Sequence, residues 1–166
     1  MSELKKIDLL QMEANPFDMI GKQWMLITAG DQQKYNTMTA SWGGMGVLWN
    51  KNVVFTFIRP QRYTLEFVDE SEFFTLCFFD NEYKDALKFC GTKSGRDFDK
   101  ARETGLTAKF DLSAPYFEEA KMVLVCKKMY RQQLTENSVI DERIYKEYNN
   151  DYHYMFVGEI VEAYLR

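Results

Sequence analysis

The run Phe73-Phe74-Thr75-Leu76-Cys77-Phe78-Phe79 limits the folds open to this chain more than any other stretch. Its aromatic and β-branched residues favour a strand, where successive side chains point to opposite faces. One alternating set is then Phe74, Leu76 and Phe78; the other is Phe73, Thr75, Cys77 and Phe79. Both sets are largely apolar, so the strand needs cover on both sides. One face can fill a barrel interior. The other needs a helix or a partner subunit, and for 166 residues a homodimer is the economical expectation.

Five more short runs rich in β-branched or aromatic residues read as strands: Trp24 to Ala29, Thr37 to Trp42, Val53 to Ile58, Met122 to Tyr130 and Tyr154 to Tyr164. From Asn81 to Gly91 the period is helical, with Tyr83, Ala86, Leu87 and Cys90 on one face and Gly91 as the stop. A shorter helix is expected from Arg62 to Val68. Many strands with few helices indicate a mainly β, α+β or barrel domain. No repeat and no Ser/Gly/Pro-rich linker divides residues 1–166, which read as a single domain.

Composition removes several function classes. A net charge of -4 argues against nucleic acid as a partner. The 26 aromatics rule out disorder, and a lone histidine rules out a metal centre needing two imidazoles, so no metal is expected. No apolar stretch is long enough to span a membrane, and no apolar segment follows the N-terminal lysines as a secretory signal would require. Three cysteines without a C-x-x-C make no disulfide framework, which fits a reducing, cytoplasmic setting. Charge is unevenly spread: Lys84 to Lys109 carries seven basic against four acidic residues, while Glu136 to Glu162 carries seven acidic against two basic. A small anion is better received by the first segment; solvated surface charge is the plainer alternative.

Four constellations can carry chemistry. In Arg59-Pro60-Gln61-Arg62-Tyr63-Thr64, two guanidiniums leave one turn before a helix start, where Thr64 and free N–H groups add donors, a fit for phosphate. Pairing of one arginine with Glu66 or Asp69 is the alternative. In Asn36-Thr37-Met38-Thr39-Ala40-Ser41-Trp42, followed by Gly43, Gly44 and Gly46, small and hydroxylated residues let a flat heteroaromatic ring lie close to the backbone; a plain hairpin with a glycine turn is the alternative. In Gly91-Thr92-Lys93-Ser94-Gly95-Arg96-Asp97-Phe98-Asp99-Lys100 the order is not that of a P-loop, yet Lys93, Ser94 and Arg96 can hold a second anionic or polar group with Asp97 and Asp99 as local partners, or form a solvated loop. Last, His153 beside Asp151 is the one side chain titrating near neutrality, and is either a donor to a ligand or a structural imidazole. No nucleophile has a hydrolase setting.

Taken in order, these segments resemble the flavin reductase-like family of FMN-binding split β-barrels, in its flavoredoxin-type branch. The resemblance rests on Tyr35 to Gly44, Arg59 to Thr64, Phe73 to Leu76, Cys90 to Asp97 and Gly158-Glu159-Ile160. It implies a six-stranded Greek-key split barrel with short flanking helices, forming a homodimer with FMN at the subunit interface. It further implies that Met38, Thr39, Ala40, Ser41 and Trp42 line the isoalloxazine, with Asn36 also cofactor-binding, that Arg59, Arg62 and Thr64 meet the phosphate or ribityl chain, and that Lys93, Ser94 and Arg96 close the site. In short flavin reductases a Gly-Asp-His segment precedes the last strand and its His lies near the nicotinamide. Here the segment is Asn150-Asp151-Tyr152-His153, with one residue between Asp and His.

The implied activity is hydride transfer from NADH or NADPH to the flavin and onward to free flavin, a ferric complex or a protein. Hydride transfer depends chiefly on distance and orientation, so one histidine suffices. The alternative is a flavoredoxin-like electron carrier reduced by a partner protein, without a nicotinamide site of its own; no G-x-G-x-x-G is present.

Overall fold

A computed structural model describes residues 3–166. Ten strands appear in chain order: β1 (Lys5–Lys6), β2 (Met25–Gly30), β3 (Tyr35–Ala40), β4 (Gly43–Leu48), β5 (Lys51–Ile58), β6 (Phe73–Phe78), β7 (Ala108–Lys109), β8 (Tyr116–Phe117), β9 (Met122–Gln133) and β10 (Tyr154–Leu165). The four α-helical segments are short: α1 (Pro16–Asp18), which runs into a π-helical turn at Met19–Gln23, α2 (Thr64–Glu70), α3 (Lys84–Thr92) and α4 (Lys100–Thr104). All six expected strands are present. The expected total of six is nonetheless too low, because eight strands share one sheet and β7 and β8 form a separate pair.

The strand of consequence among the additions is β4. Gly43, Gly44 and Gly46 lower its β propensity and give it the look of a turn, yet it pairs with β5 from Gly43 opposite Thr56 to Leu48 opposite Lys51. Trp49 and Asn50 close that hairpin with φ of 52° and 56°, the left-handed pair that a two-residue type I′ turn demands.

The main antiparallel sheet runs β3-β2-β6-β9-β10-β5-β4, with β1 on the far end of β10. Strands β3 and β4 are therefore the two ends of a seven-strand path, ~29 Å apart if the sheet lay flat at the usual strand spacing. Only Ser41 and Trp42 separate them in sequence, and three extended steps reach about 11 Å. The sheet must curl until its two edges face each other, leaving a barrel with an open seam at Ser41-Trp42.

Inside the barrel, Phe74, Leu76 and Phe78 of β6 join Met25, Ile27, Leu124 and Phe156. Truncating one of these fully buried phenylalanines to Ala costs about 3–5 kcal/mol. The opposite face of β6 is covered by this same chain: Cys77 and Phe79 pack with Leu87 and Cys90 of α3 and with Leu106, Tyr116 and Phe117. The Thr75 hydroxyl is satisfied by the Pro115 carbonyl. Of the two covers expected for this face, a helix or a partner subunit, α3 supplies the first, and residues 106–120 add to it. All three cysteines are buried and free, and no helix among the described residues is long and apolar enough to cross a membrane.

Candidate functional site

The seam opens into a cleft of about 400 Å³, and eight of the residues singled out from the sequence line it. Met38, Thr39 and Ala40 come from β3, Ser41 and Trp42 from the link, Arg59 and Arg62 from the turn before α2, and His153 from the residue before β10. Phe57 and Gln61 complete the lining.

Strand β3 forms one wall because it is a sheet edge, bonded only to β2. The carbonyls of Thr37 and Thr39 are taken from outside the sheet, by Lys100 Nζ at 2.7 Å and by an Arg62 guanidinium N–H at 3.5 Å. In extended backbone the N–H and C=O of one residue point the same way, so the Thr37 and Thr39 N–H groups also face away from β2. A sheet edge beside Met38 and Trp42 suits a flat ring with acceptors on its rim.

Two cations take the β3 carbonyls, Lys100 buried and Arg62 half-buried at the cleft. Arg62 donates to the Gly91 carbonyl at 2.7 Å, and burial lowers its pKa without discharging it. Lys100, 6% exposed, donates to the Thr37 and Cys90 carbonyls at 2.7 and 2.8 Å. Burial pulls its pKa down to about 8, opposed by Cys90 and reinforced by Arg62. Cys90 itself is pushed up to about 11 by burial and stays a thiol. Carbonyl oxygens rather than carboxylates satisfy both cations, so the positive charge here is not neutralised.

The other wall is aromatic. His153 is 7% exposed, with its ring centroid 5.1 Å from Trp42 and 6.4 Å from Phe57. Its Nδ1 lies 2.8 Å from the Tyr148 hydroxyl. Burial first, and Arg59 second, lower its pKa to about 4 against a weaker pull from Asp151, so the imidazole is neutral at physiological pH. Arg59 pairs with Asp151 at 2.6 Å and donates to the Glu147 carbonyl at 2.9 Å, and Gln61 reaches the same Asp151 oxygen at 3.0 Å. With the Asn149 N–H, these donors hold the Asp151 carboxyl far below the usual carboxylate range. They pin the connection between β9 and β10 against the Arg59–Arg62 turn.

The remaining sequence candidates lie outside the cleft. Asn36 and Thr64 are buried and bonded to each other at 2.8 Å, tying β3 to α2. Gly95 packs so closely on the Asn36 amide that a Cβ there would sit 1.9 Å from its oxygen. Ser94 accepts from the Arg96 N–H, Lys93 lies over Phe98, and Arg96 pairs with Glu66 and stacks on Tyr63. Reading the sequence missed Lys100, Phe57 and Tyr148. Lys100 alone carried a signal, as the cation ending the Gly91–Lys100 segment, though the sequence assigns it no role.

The flavin reductase like domain matches residues 18–166 of this chain. The chain belongs to the flavin reductase-like family. Solved structures of the same fold include flavoredoxin from Methanosarcina acetivorans (TM-score 0.69, 23% identity over 87% of this chain and 68% of that one). An FMN-binding domain of a flavin reductases-like enzyme from Shewanella baltica OS155 gives a TM-score of 0.71 at 16% identity, over 98% and 77% of the two chains. The NADH:FAD oxidoreductase SgcE6 of Streptomyces globisporus, solved with NAD and FAD fragments, gives 0.64 at 16%, over 87% and 74%. At these identities the likeness establishes the fold that this flavin reductase-like chain shares with them. Comparison with curated protein sequences returns no match.

Proposed function

We propose that this protein binds FMN at the seam and transfers hydride from NADH or NADPH to it, then passes the electrons to free flavin, a ferric complex or a protein. The carrying observation is the convergence, in one cleft at the sheet edge, of β3 residues Met38 to Ala40, the Trp42 and Phe57 rings, Arg59 and Arg62. The residues fit the group: the Thr39 to Ser41 backbone meets the polar rim of the ring and Met38 and Trp42 its faces. Arg59 and Arg62 take the phosphate or ribityl chain, with Thr64 and Asn36 bracing their turn from behind. Lys93, Ser94 and Arg96 close that end. Bound flavin supplies the hydride-accepting ring; the protein supplies orientation and charge compensation.

The reading includes a homodimer with the cleft at the subunit interface. Its support is the outer surface at β4, where Val47 and Trp49 are 72% and 53% exposed and Gly46 leaves the strand flat. The reading also covers one domain acting in the cytoplasm.

A second reading, an electron carrier reduced by a partner protein, draws on the charge beside the cleft. Glu136, Asp141, Glu142, Glu147 and Asp151 outnumber Arg143 and Lys146 on the connection that carries His153, a poor approach for a dinucleotide's phosphates. Anaerobic addition of NADH and NADPH to the flavin-loaded protein separates the two. Bleaching by either supports the oxidoreductase; no bleaching by both leaves the carrier.

A further inference from the structure

We propose that Tyr148 sets the tautomer of His153: its hydroxyl donates to Nδ1, which places the imidazole hydrogen on Nε2 and makes His153 a hydrogen-bond donor to an oxygen acceptor in the cleft. Tyr148 lies on the irregular connection between β9 and β10, outside every motif considered above.

The direction of the bond follows from what each partner has left. The Tyr148 hydroxyl makes one side-chain hydrogen bond, to Nδ1 at 2.8 Å, with the two rings nearly perpendicular at 81°. If Nδ1 carried the hydrogen and donated, the phenolic hydrogen would have no acceptor among the described residues. Donation by the hydroxyl satisfies both atoms, and a neutral imidazole then bears its hydrogen on Nε2. Arg59 and Asp151 are the charged groups near the ring, and Arg59 disfavours a second proton on it. Trp42 of the link and Phe57 of β5 pack it, and Nε2 is the ring nitrogen left for a ligand. Tyr148 is itself fixed: it stacks on Tyr152 with centroids 4.4 Å apart, and the Arg59 guanidinium lies 5.0 Å over its ring. The donor is therefore held in place before any ligand arrives.

A fixed N–H selects for an acceptor. A planar ring bearing a carboxamide, carbonyl or nitro oxygen is matched, whereas a ligand presenting only donors leaves the N–H unpaired. This ligand class rests on reading the cleft as a redox site, while the tautomer assignment does not.

The chain has one histidine, so a ¹⁵N-histidine-labelled sample gives one imidazole. Long-range ¹H–¹⁵N spectra of the protein as purified, at pH 7, should show the hydrogen on Nε2. Tyr148→Phe should shift the population toward Nδ1–H. A wild-type hydrogen on Nδ1, or a tautomer unchanged in Tyr148→Phe, overturns the proposal. Benzamide then tests the donor role: Tyr148→Phe and His153→Ala should each weaken its binding by about five- to tenfold. His153→Gln, whose amide stands in for the Nε2–H, should hold within about twofold of wild type. Equal benzamide affinity in wild type and His153→Ala refutes the donor role. If the Nε2 hydrogen and these affinities appear while neither NADH nor NADPH bleaches the flavin, the tautomer assignment stands and the reductase reading alone fails.

Discussion

The two walls of the seam cleft handle charge in opposite ways. On the β3 side, Lys100 is withdrawn from water and Arg62 half-buried, and both are bonded to carbonyls. On the β10 side, Arg59 keeps 27% of its side chain exposed and is neutralised by Asp151, and His153 is neutral. Carbonyl dipoles satisfy a cation's donors without cancelling its charge, whereas a carboxylate cancels it. An anionic group is therefore drawn to the first wall, while the second is electrically quiet and aromatic. Such a division suits a ligand with a charged tail and a neutral ring.

The largest effect should come from Lys100→Met. It leaves the Thr37 and Cys90 carbonyls buried without a donor, at about 1–3 kcal/mol each, whereas Arg59→Met breaks a partly exposed pair and costs below about 1 kcal/mol. Urea midpoints at pH 7 measure both, and equal losses would break the contrast between the walls. The Lys100 amine also has a lower pKa folded, about 8, than its ordinary 10.5. Between those values the unfolded chain binds more protons, so this group makes stability rise with pH across that window.

The His153 wall should respond on the acid side. Its pKa falls from 6.5 to about 4 on folding, so between pH 6.5 and 4 the unfolded chain again binds more protons and stability declines as pH drops. At about 1.4 kcal/mol per unit, the loss is at most about 3 kcal/mol. Urea midpoints of wild type and His153→Phe through this range isolate it; parallel profiles would show that the imidazole titrates as in water.

Arg62→Ala tests the charged wall directly. Losing a charge-assisted contact to the phosphate should weaken FMN binding by about ten- to a hundredfold, read by fluorescence titration, while loss of the Gly91 bond costs about 1 kcal/mol of stability. An unchanged FMN affinity would move the phosphate away from Arg62.

The two walls also differ in how far the sequence discloses them. Met38 to Trp42 form one local stretch, and their small residues and edge placement follow from a period of two and a short link. Likewise, the faces of Phe73 to Phe79 are fixed by alternation. What covers the outer face is not, because residues 106–120 pack irregularly around Phe117 and have no period to read. Strand β4 was hidden for the opposite reason, its glycines silencing the propensity that pairing with β5 overrides. The His153 wall joins residues far apart in the chain: Arg59 meets Asp151 across 92 positions. Nothing local distinguishes Tyr148 from the other tyrosines nearby. The carboxylates expected for Arg59 or Arg62 went elsewhere, Glu66 to Arg96 and Asp69 to Arg131.

That last exchange carries the smallest prediction and the one most sensitive to where the phosphate sits. Arg96 pairs with Glu66 with about half of each side chain exposed, an interaction worth about 0–1 kcal/mol. If Arg96 closes the phosphate end of the site, the flavin competes with Glu66 for its guanidinium. Glu66→Gln then removes the competitor and a repelling negative charge together, and FMN should bind up to about fivefold tighter, the equivalent of about 1 kcal/mol. Stability should change little, since Arg96 still stacks on Tyr63 at 4.4 Å. Arg96→Ala should move FMN affinity the other way. Tighter binding in the first variant with weaker binding in the second extends the charged wall from Arg62 out to Arg96. No change in either confines it to Arg62 and Lys100.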